Sequence, residues 1–276
     1  MRWYRKLQDY IFTVICSLFC LVLLSVLVSI LWTLISHGIQ GLNLSLFTEM
    51  TPAPGSSGGL ANAIFGSVVI TAIGAVLAAP IGILAATYLA EYGQDSKLAQ
   101  LIRLLNDTLL SAPSIIIGLF VYAILVQTLG HFSAVAGSVA LGLIALPMII
   151  RGVEDVLVLL PEQLREAAIA LGVPRWRVTV MIIYRAAKQG IFTIILLAIA
   201  RMLGETAPLL FTTLSNQFWS ADITQPMANL PVVIYQYAMS PYSDWQQLAW
   251  SGALLITFIV IAMSLITRFV LTRKGA

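Results

Sequence analysis

Apolar residues in this chain come in long runs separated by short polar segments. Six runs stand out: Tyr10–Ile35, Leu60–Ala90, Thr108–Leu129, Phe132–Ile150, Ile191–Leu214 and Leu248–Thr267. Each holds about 18 or more residues with few or no charges, enough for a helix to cross the hydrocarbon layer of a bilayer. Backbone N–H and C=O groups in lipid must be satisfied within the segment, so helices are predicted throughout. The expected fold class is an all-α, polytopic membrane protein with six transmembrane helices.

The connecting segments differ in kind. Residues 1–59 read as an N-terminal helix and an external loop, and residues 60–276 as a core of five spans with a polar loop at about 151–190. Basic residues precede the first apolar run, as in a signal peptide. That run is too long and lacks a small-residue cleavage site, so it reads as a retained signal-anchor. Asn43–Gly59, with Pro52, Pro54 and a Gly/Ser cluster, reads as an irregular loop. Within Ser215–Gln247, Leu230–Met239 reads as a short helix that re-enters the membrane or lies on it. Trp219, Tyr235, Tyr237, Tyr242 and Trp245 are candidates for an interfacial belt.

Composition excludes a soluble protein: of 276 residues, 59% are hydrophobic and 10% charged, with a mean hydropathy of +0.95. The charges then set the orientation. Arg2, Arg5, Lys6, Lys97, Arg103, Arg151, Arg165, Arg175, Arg177, Arg185, Lys188, Arg268, Arg273 and Lys274 all fall on one side of the six spans. The positive-inside rule makes that side the cytoplasm, with both termini inside. The net charge of +3 is therefore no nucleic-acid signal, because the basic residues orient the chain and form no aromatic-interleaved patch. Cys16 and Cys20, both in the first run, read as small apolar fillers.

Of the 15 lysines and arginines, only Arg201 lies inside a predicted span. An arginine at helix centre costs about 2.5–3.5 kcal/mol on insertion scales and by default marks an ion or substrate path. Glu205, four residues on, is placed on the same helix face and within pairing reach. A purely structural ion pair is the alternative reading. Pro208 lacks an N–H and leaves the Gly204 carbonyl unpartnered, so a kink is expected at the charged pair. Pro113 and Pro147 free carbonyls in the same way, either in ordinary kinked packing or beside a cavity.

Leu164, Ala167, Ala168 and Leu171 follow the i, i+3, i+4, i+7 spacing of an amphipathic helix in the charged loop. Pro161 can open that helix and Gly172 can end it in a left-handed conformation. Pro174 suits the first turn of a second helix through Trp176 and Val180. The small residues at the stripe's centre suit docking into a groove of another protein. A helix lying on the bilayer surface is the alternative.

No GxxxxGK[ST] loop, HExxH motif or cysteine/histidine cluster occurs, so no catalytic or metal-binding residue is expected and no cofactor on this chain. His37 and His131 fall at external membrane boundaries without an evident partner.

Glu166-Ala167-Ala168 followed by Gly172 resembles the EAA motif of ABC-importer permeases, the coupling helix that docks on a nucleotide-binding subunit. Ala200 through Phe211, which includes Gly204-Glu205-Thr206-Ala207-Pro208-Leu209-Leu210, resembles the RxxGETAPLL segment of phosphate-importer permeases. Leu230 through Tyr235, Ser240-Pro241-Tyr242, Ala249 through Ala253, Leu146 through Arg151 and Ala112 through Ile115 are similar to that family as well. The resemblance covers roughly residues 40–270 and is to the PstA type. It implies a type I, MetI-like permease fold in the bacterial inner membrane, with a cytoplasmic coupling hairpin. It implies a PstC-type partner permease, a homodimeric PstB-type ATPase that consumes the ATP, and a periplasmic phosphate-binding protein. Arg201, Glu205, Gly204 and Pro208 would lie on the substrate path, and Glu166, Ala167, Ala168 and Gly172 would couple to the ATPase. Glu205 would either neutralise Arg201 in an empty path or accept a hydrogen bond from the P–OH of phosphate. A permease for sulfate, molybdate or phosphonate is the alternative within the class; an ATP-independent channel or secondary transporter lies outside it. One departure stands out: many ABC permeases carry Leu-Pro where this chain has Tyr184-Arg185.

Overall fold

A computed structural model describes residues 2–93 and 96–272. Arg273 and Lys274, counted above among the orienting charges, lie outside the described residues. Helix α1 (Arg2–Gly38) is followed by the short α2 (Ser45–Thr48) and by α3 (Ala61–Thr87), which continues as a wider π-helical turn to Tyr92. Next come α4 (Lys97–Ser111), α5 (Ser114–Val121), a second π segment, and α6 (Gln127–Leu129). The long α7 (Ala134–Val158) leads into α8 (Glu162–Ala170) and α9 (Arg175–Arg177). A third π segment joins α9 to α10 (Tyr184–Leu203), and α11 (Ala207–Thr212), α12 (Leu230–Ala238) and α13 (Ser243–Thr272) complete the chain. Among the described residues, five helical runs are long and apolar enough to cross a membrane, and the bent pair of α4 with α5–α6 makes a sixth.

The core is built on α3 against α7. Gly66, Ile70, Gly74, Ala78, Gly82 and Ala86 recur every fourth residue of α3, and all are buried. That spacing aligns them in one stripe. Ser138, Leu141, Gly142 and Ile149 of α7 lie against it, and a Cβ at Gly74 would stand 2.9 Å from the Ser138 carbonyl oxygen. In lipid, where apolar surface alone does not drive helices together, such close backbone approach supplies the packing energy. Ala187, Ala198 and Met202 of α10 join the same cluster.

Three predicted spans differ in detail. Thr108–Leu129 is not one straight helix, because the chain bends by 105° between α4 and α5. Pro113 disfavours helical backbone at Ala112, which adopts φ −70°, ψ 132°, and the Leu109 carbonyl accepts from the Ala112 N–H instead. The freed α4 docks through Arg103, whose Nε donates to Glu154 of α7 at 2.9 Å and whose Nη2 donates to the Leu89 carbonyl at 3.2 Å. The fourth span runs on past Ile150 to Val158. The fifth, expected over Ile191–Leu214, instead runs from Arg175 to Leu203 and breaks there.

At the end opposite the basic loops, the expected irregular loop contains α2, and its Leu46 is fully buried. Helix α12 does not lie on a surface: Leu230, Pro231, Val232, Val233 and Tyr237 are buried. Tyr237 stacks on Trp245 at 4.3 Å inside the fold, so neither belongs to a belt, whereas Trp219, Tyr235 and Tyr242 are exposed. Asn62 joins the segments there, accepting from the Thr51 N–H (3.0 Å) and donating to the Gln217 carbonyl (3.2 Å).

Candidate functional site

Arg201 occupies the last turn of α10, which ends at Leu203 with Gly204 as its cap. Glu205 lies beyond that end, so the two do not share a continuous helix face as their spacing predicts. The cause is Pro208, which sits in the first turn of α11, where a missing N–H costs nothing, and so begins a new helix. The N–H groups of Gly204 and Glu205 close back on the carbonyls of Arg201 and Met202 at 3.1 and 3.2 Å.

The charged pair still meets across the break. Arg201 Nε stands 3.6 Å from Glu205 Oε1, with side chains 47% and 17% exposed. That separation is an ion pair but too long for a hydrogen bond. Among the described residues, the Nη groups of Arg201 have no protein acceptor, unlike those of Arg103 and Arg165. Met202 and Leu203 line the same small void as Ile70 and Thr71 of α3. Pro208 is buried against α5, where a Cβ at Gly118 would lie 2.6 Å from the Pro208 Cα. Arg201, Gly204, Glu205 and Pro208 therefore gather at one break in the helix, with the arginine fork turned out of the fold.

The second candidate group forms the predicted helical hairpin. Pro161 precedes α8, and Gly172 ends it with φ +78°, a left-handed value that costs glycine nothing. The Gly172 and Val173 N–H groups return to the carbonyls of Ile169 and Ala168 at 2.9 and 3.2 Å. The apolar stripe is divided. Ala168 is buried against the chain, while Leu164, Glu166, Ala167 and Leu171 are exposed, Leu171 at 84%. After Pro174, the second arm continues without a gap through α9 and the π segment into α10. The second arm of the hairpin and Arg201 thus share one helical run, Arg175–Leu203.

Sequence reasoning missed the group that holds the hairpin in place. Arg165, counted only as an orienting charge, donates from Nε to both Glu91 carboxylate oxygens at 3.1 Å and from Nη2 to Oε1 at 2.7 Å. It also donates to the carbonyls of Leu160 and Leu157 at 3.0 and 2.8 Å. Glu91, at the end of α3, is almost fully buried. Its hydrogen bonds raise the pKa of the Arg165 guanidinium above the ordinary value, so the arginine stays charged. Nearby, Tyr92 Oη meets Thr179 Oγ1 at 3.3 Å, and Tyr184 Oη meets Thr87 Oγ1 at 2.7 Å. A carboxylate at the end of an apolar run was the only signal for Glu91, and nothing local names a partner 74 positions away.

The histidines take structural places: His37 stacks on Trp250 at 5.1 Å, and His131 Nδ1 lies 3.2 Å from the Phe132 carbonyl. No group of three potential metal ligands occurs among the described residues.

The described residues thus form a bundle of membrane-length helices, a helix broken beside Arg201, and an exposed helical hairpin. Residues 78–274 match the family of binding-protein-dependent transport system inner membrane components, and the chain belongs to that family. Within it, the chain is 57% identical to the phosphate transport system permease protein PstA of Haemophilus influenzae, over 89% of this chain and 87% of that protein. It is 54% identical to the PstA of Yersinia pestis, over 90% of this chain and 84% of that protein. The resemblance carried by Ala200 through Phe211 is thereby borne out. The fold matches a permease chain in an inward-facing structure of the MetNI methionine ABC transporter, with a TM-score of 0.63 over 76% of this chain and 95% of that one, at 20% identity.

Proposed function

We propose that the chain is one of two permease subunits of an ATP-driven importer of inorganic phosphate, and that Arg201 contacts the ion in transit. The observation that carries this reading is the Arg201 guanidinium, placed at a helix break with its Nη groups free of protein acceptors among the described residues. Phosphate near neutral pH carries one or two charges and must shed water at a narrow point. A permanently charged planar fork matches its oxygens in a bidentate way. Glu205, 3.6 Å away, serves as counter-ion when the path is empty and keeps anion binding weak enough for release. Gly204 and Pro208 supply the break that exposes backbone to the path. The names of the relatives support phosphate as cargo.

In this reading the basic end faces the cytoplasm and both termini lie inside. A PstC-type permease completes the path, and a homodimeric PstB-type ATPase docks on α8 around Glu166, Ala167, Ala168 and Gly172. A periplasmic phosphate-binding protein delivers the ion at the opposite end. The exposed Leu164, Ala167 and Leu171 give the ATPase an apolar face to grip. Closure of the ATPase pair would then move the hairpin and, through the continuous run Arg175–Leu203, the break at Arg201. The test is reconstitution with partner permease, ATPase and binding protein in liposomes, assayed with radiolabelled phosphate. Uptake that needs ATP and resists excess sulfate is the expected result; equal competition by sulfate would reassign the cargo to oxyanions in general.

A further inference from the structure

Three polar contacts join the hairpin and its second arm to the inner end of α3, apart from both the Arg201 break and the outward face of α8. Arg165 of α8 clasps Glu91, and the same guanidinium caps the end of α7 through the carbonyls of Leu157 and Leu160. Tyr92 meets Thr179, and Thr87 meets Tyr184. Glu91, Tyr92 and Thr179 lie within π-helical turns, Tyr88–Tyr92 and Val178–Ile183, and Thr87 and Tyr184 directly flank them. A π turn adds a residue and rotates the side chains that follow, a strained device that recurs at functional positions. Here Tyr92 and Thr179 join the two turns directly, and the other two contacts lie at or beside them. Tyr184 has found a hydroxyl partner, Thr87, at 2.7 Å.

We propose that Glu91, Arg165, Thr87 and Tyr184 are positioning residues that lock the hairpin to the end of α3. Displacement of α8 then passes into α3, and through its small-residue stripe into α7, instead of being absorbed by bending of the hairpin. Cooperative groups of this kind gain from one another, because each contact holds the geometry the next one needs. The proposal rests on the reading that an ATPase docks on α8.

The complete transporter, reconstituted with its partner permease, ATPase and binding protein, supplies the test. Glu91→Gln and Tyr184→Phe keep shape and remove the ionic and hydroxyl contacts. Both variants are expected to retain the ATPase on purification and to hydrolyse ATP, while phosphate taken up per ATP falls roughly fivefold. An unchanged ratio in both would overturn the lock, as would loss of the ATPase from both, since the contacts would then serve docking. Failure of the unmodified chain to retain the ATPase would instead overturn the docking reading. A second measurement joins Tyr92→Cys to Thr179→Cys with a short bifunctional thiol reagent, in a Cys16→Ser/Cys20→Ser background. The bridge replaces the hydroxyl pair it removes, so transport should survive it. Transport blocked on bridging would show that the two segments part during the cycle, and the lock would be refuted.

Discussion

Arg103, Arg165 and Arg201 each sit beside a carboxylate, and their surroundings assign them different work. Arg165 has Glu91 and two backbone carbonyls, and Arg103 has Glu154 and a third carbonyl. Removing one partner leaves a partly desolvated charge behind and destabilises the fold, more at the better-buried Glu91–Arg165 pair than at the more exposed Arg103–Glu154 pair. Arg201 has one carboxylate at 3.6 Å and open Nη groups. Arg201→Gln should therefore fold and assemble, since insertion becomes easier without the charge, yet abolish phosphate uptake. Arg201→Lys should also be impaired, because a point charge does not reproduce the fork. If the pair were only structural, Arg201→Gln/Glu205→Gln would restore transport; uptake by that double variant, measured with radiolabelled phosphate, is expected to stay near background. Arg201 was legible because a charge inside an apolar run has no ordinary explanation. The Glu91–Arg165 clasp was not, because each residue is unremarkable where it stands and only the fold brings the two together.

At the scale of elements, the hairpin was legible down to its turn. Proline, an apolar period and glycine each have a local backbone meaning, and Gly172 adopts the left-handed φ those signals require. A β-branched residue there pays about 1–2 kcal/mol for the same backbone. Gly172→Val should accordingly distort the turn and weaken ATPase association, and Glu166→Lys should do the same by reversing charge on the exposed face, while both variants still insert. Co-purification of the ATPase reads this out, and a normal yield together with normal uptake in both would remove α8 from the coupling role. The π turns and the bend before α5 were not legible. One extra residue in a helical turn leaves an apolar run looking the same. Proline does not settle the matter alone: Pro113 separates two helices at 105°, whereas Pro147 sits inside α7 without ending it.

For the molecule as a whole, the number of membrane-length helical runs was legible, because lipid imposes length and polarity on every segment alike. What covers the break at Arg201 was not, since that depends on surfaces one chain leaves uncovered. Helix α1 packs along α13, and none of its apolar window is buried in the fold. Arg201, held only by Glu205 at 3.6 Å, stays half exposed beside the break, although a charge within hydrocarbon is costly. A second permease that covers this face would replace lipid with polar groups and water, turning half a path into a closed one. Proteoliposomes holding this chain alone should then release no trapped phosphate. The paired permeases with their ATPase should stay silent until ATP and loaded binding protein are supplied from the proper sides. Radiolabelled phosphate flux measures all three cases. Flux through the chain alone would refute the two-permease path, and flux through the full assembly without ATP would make the protein a channel.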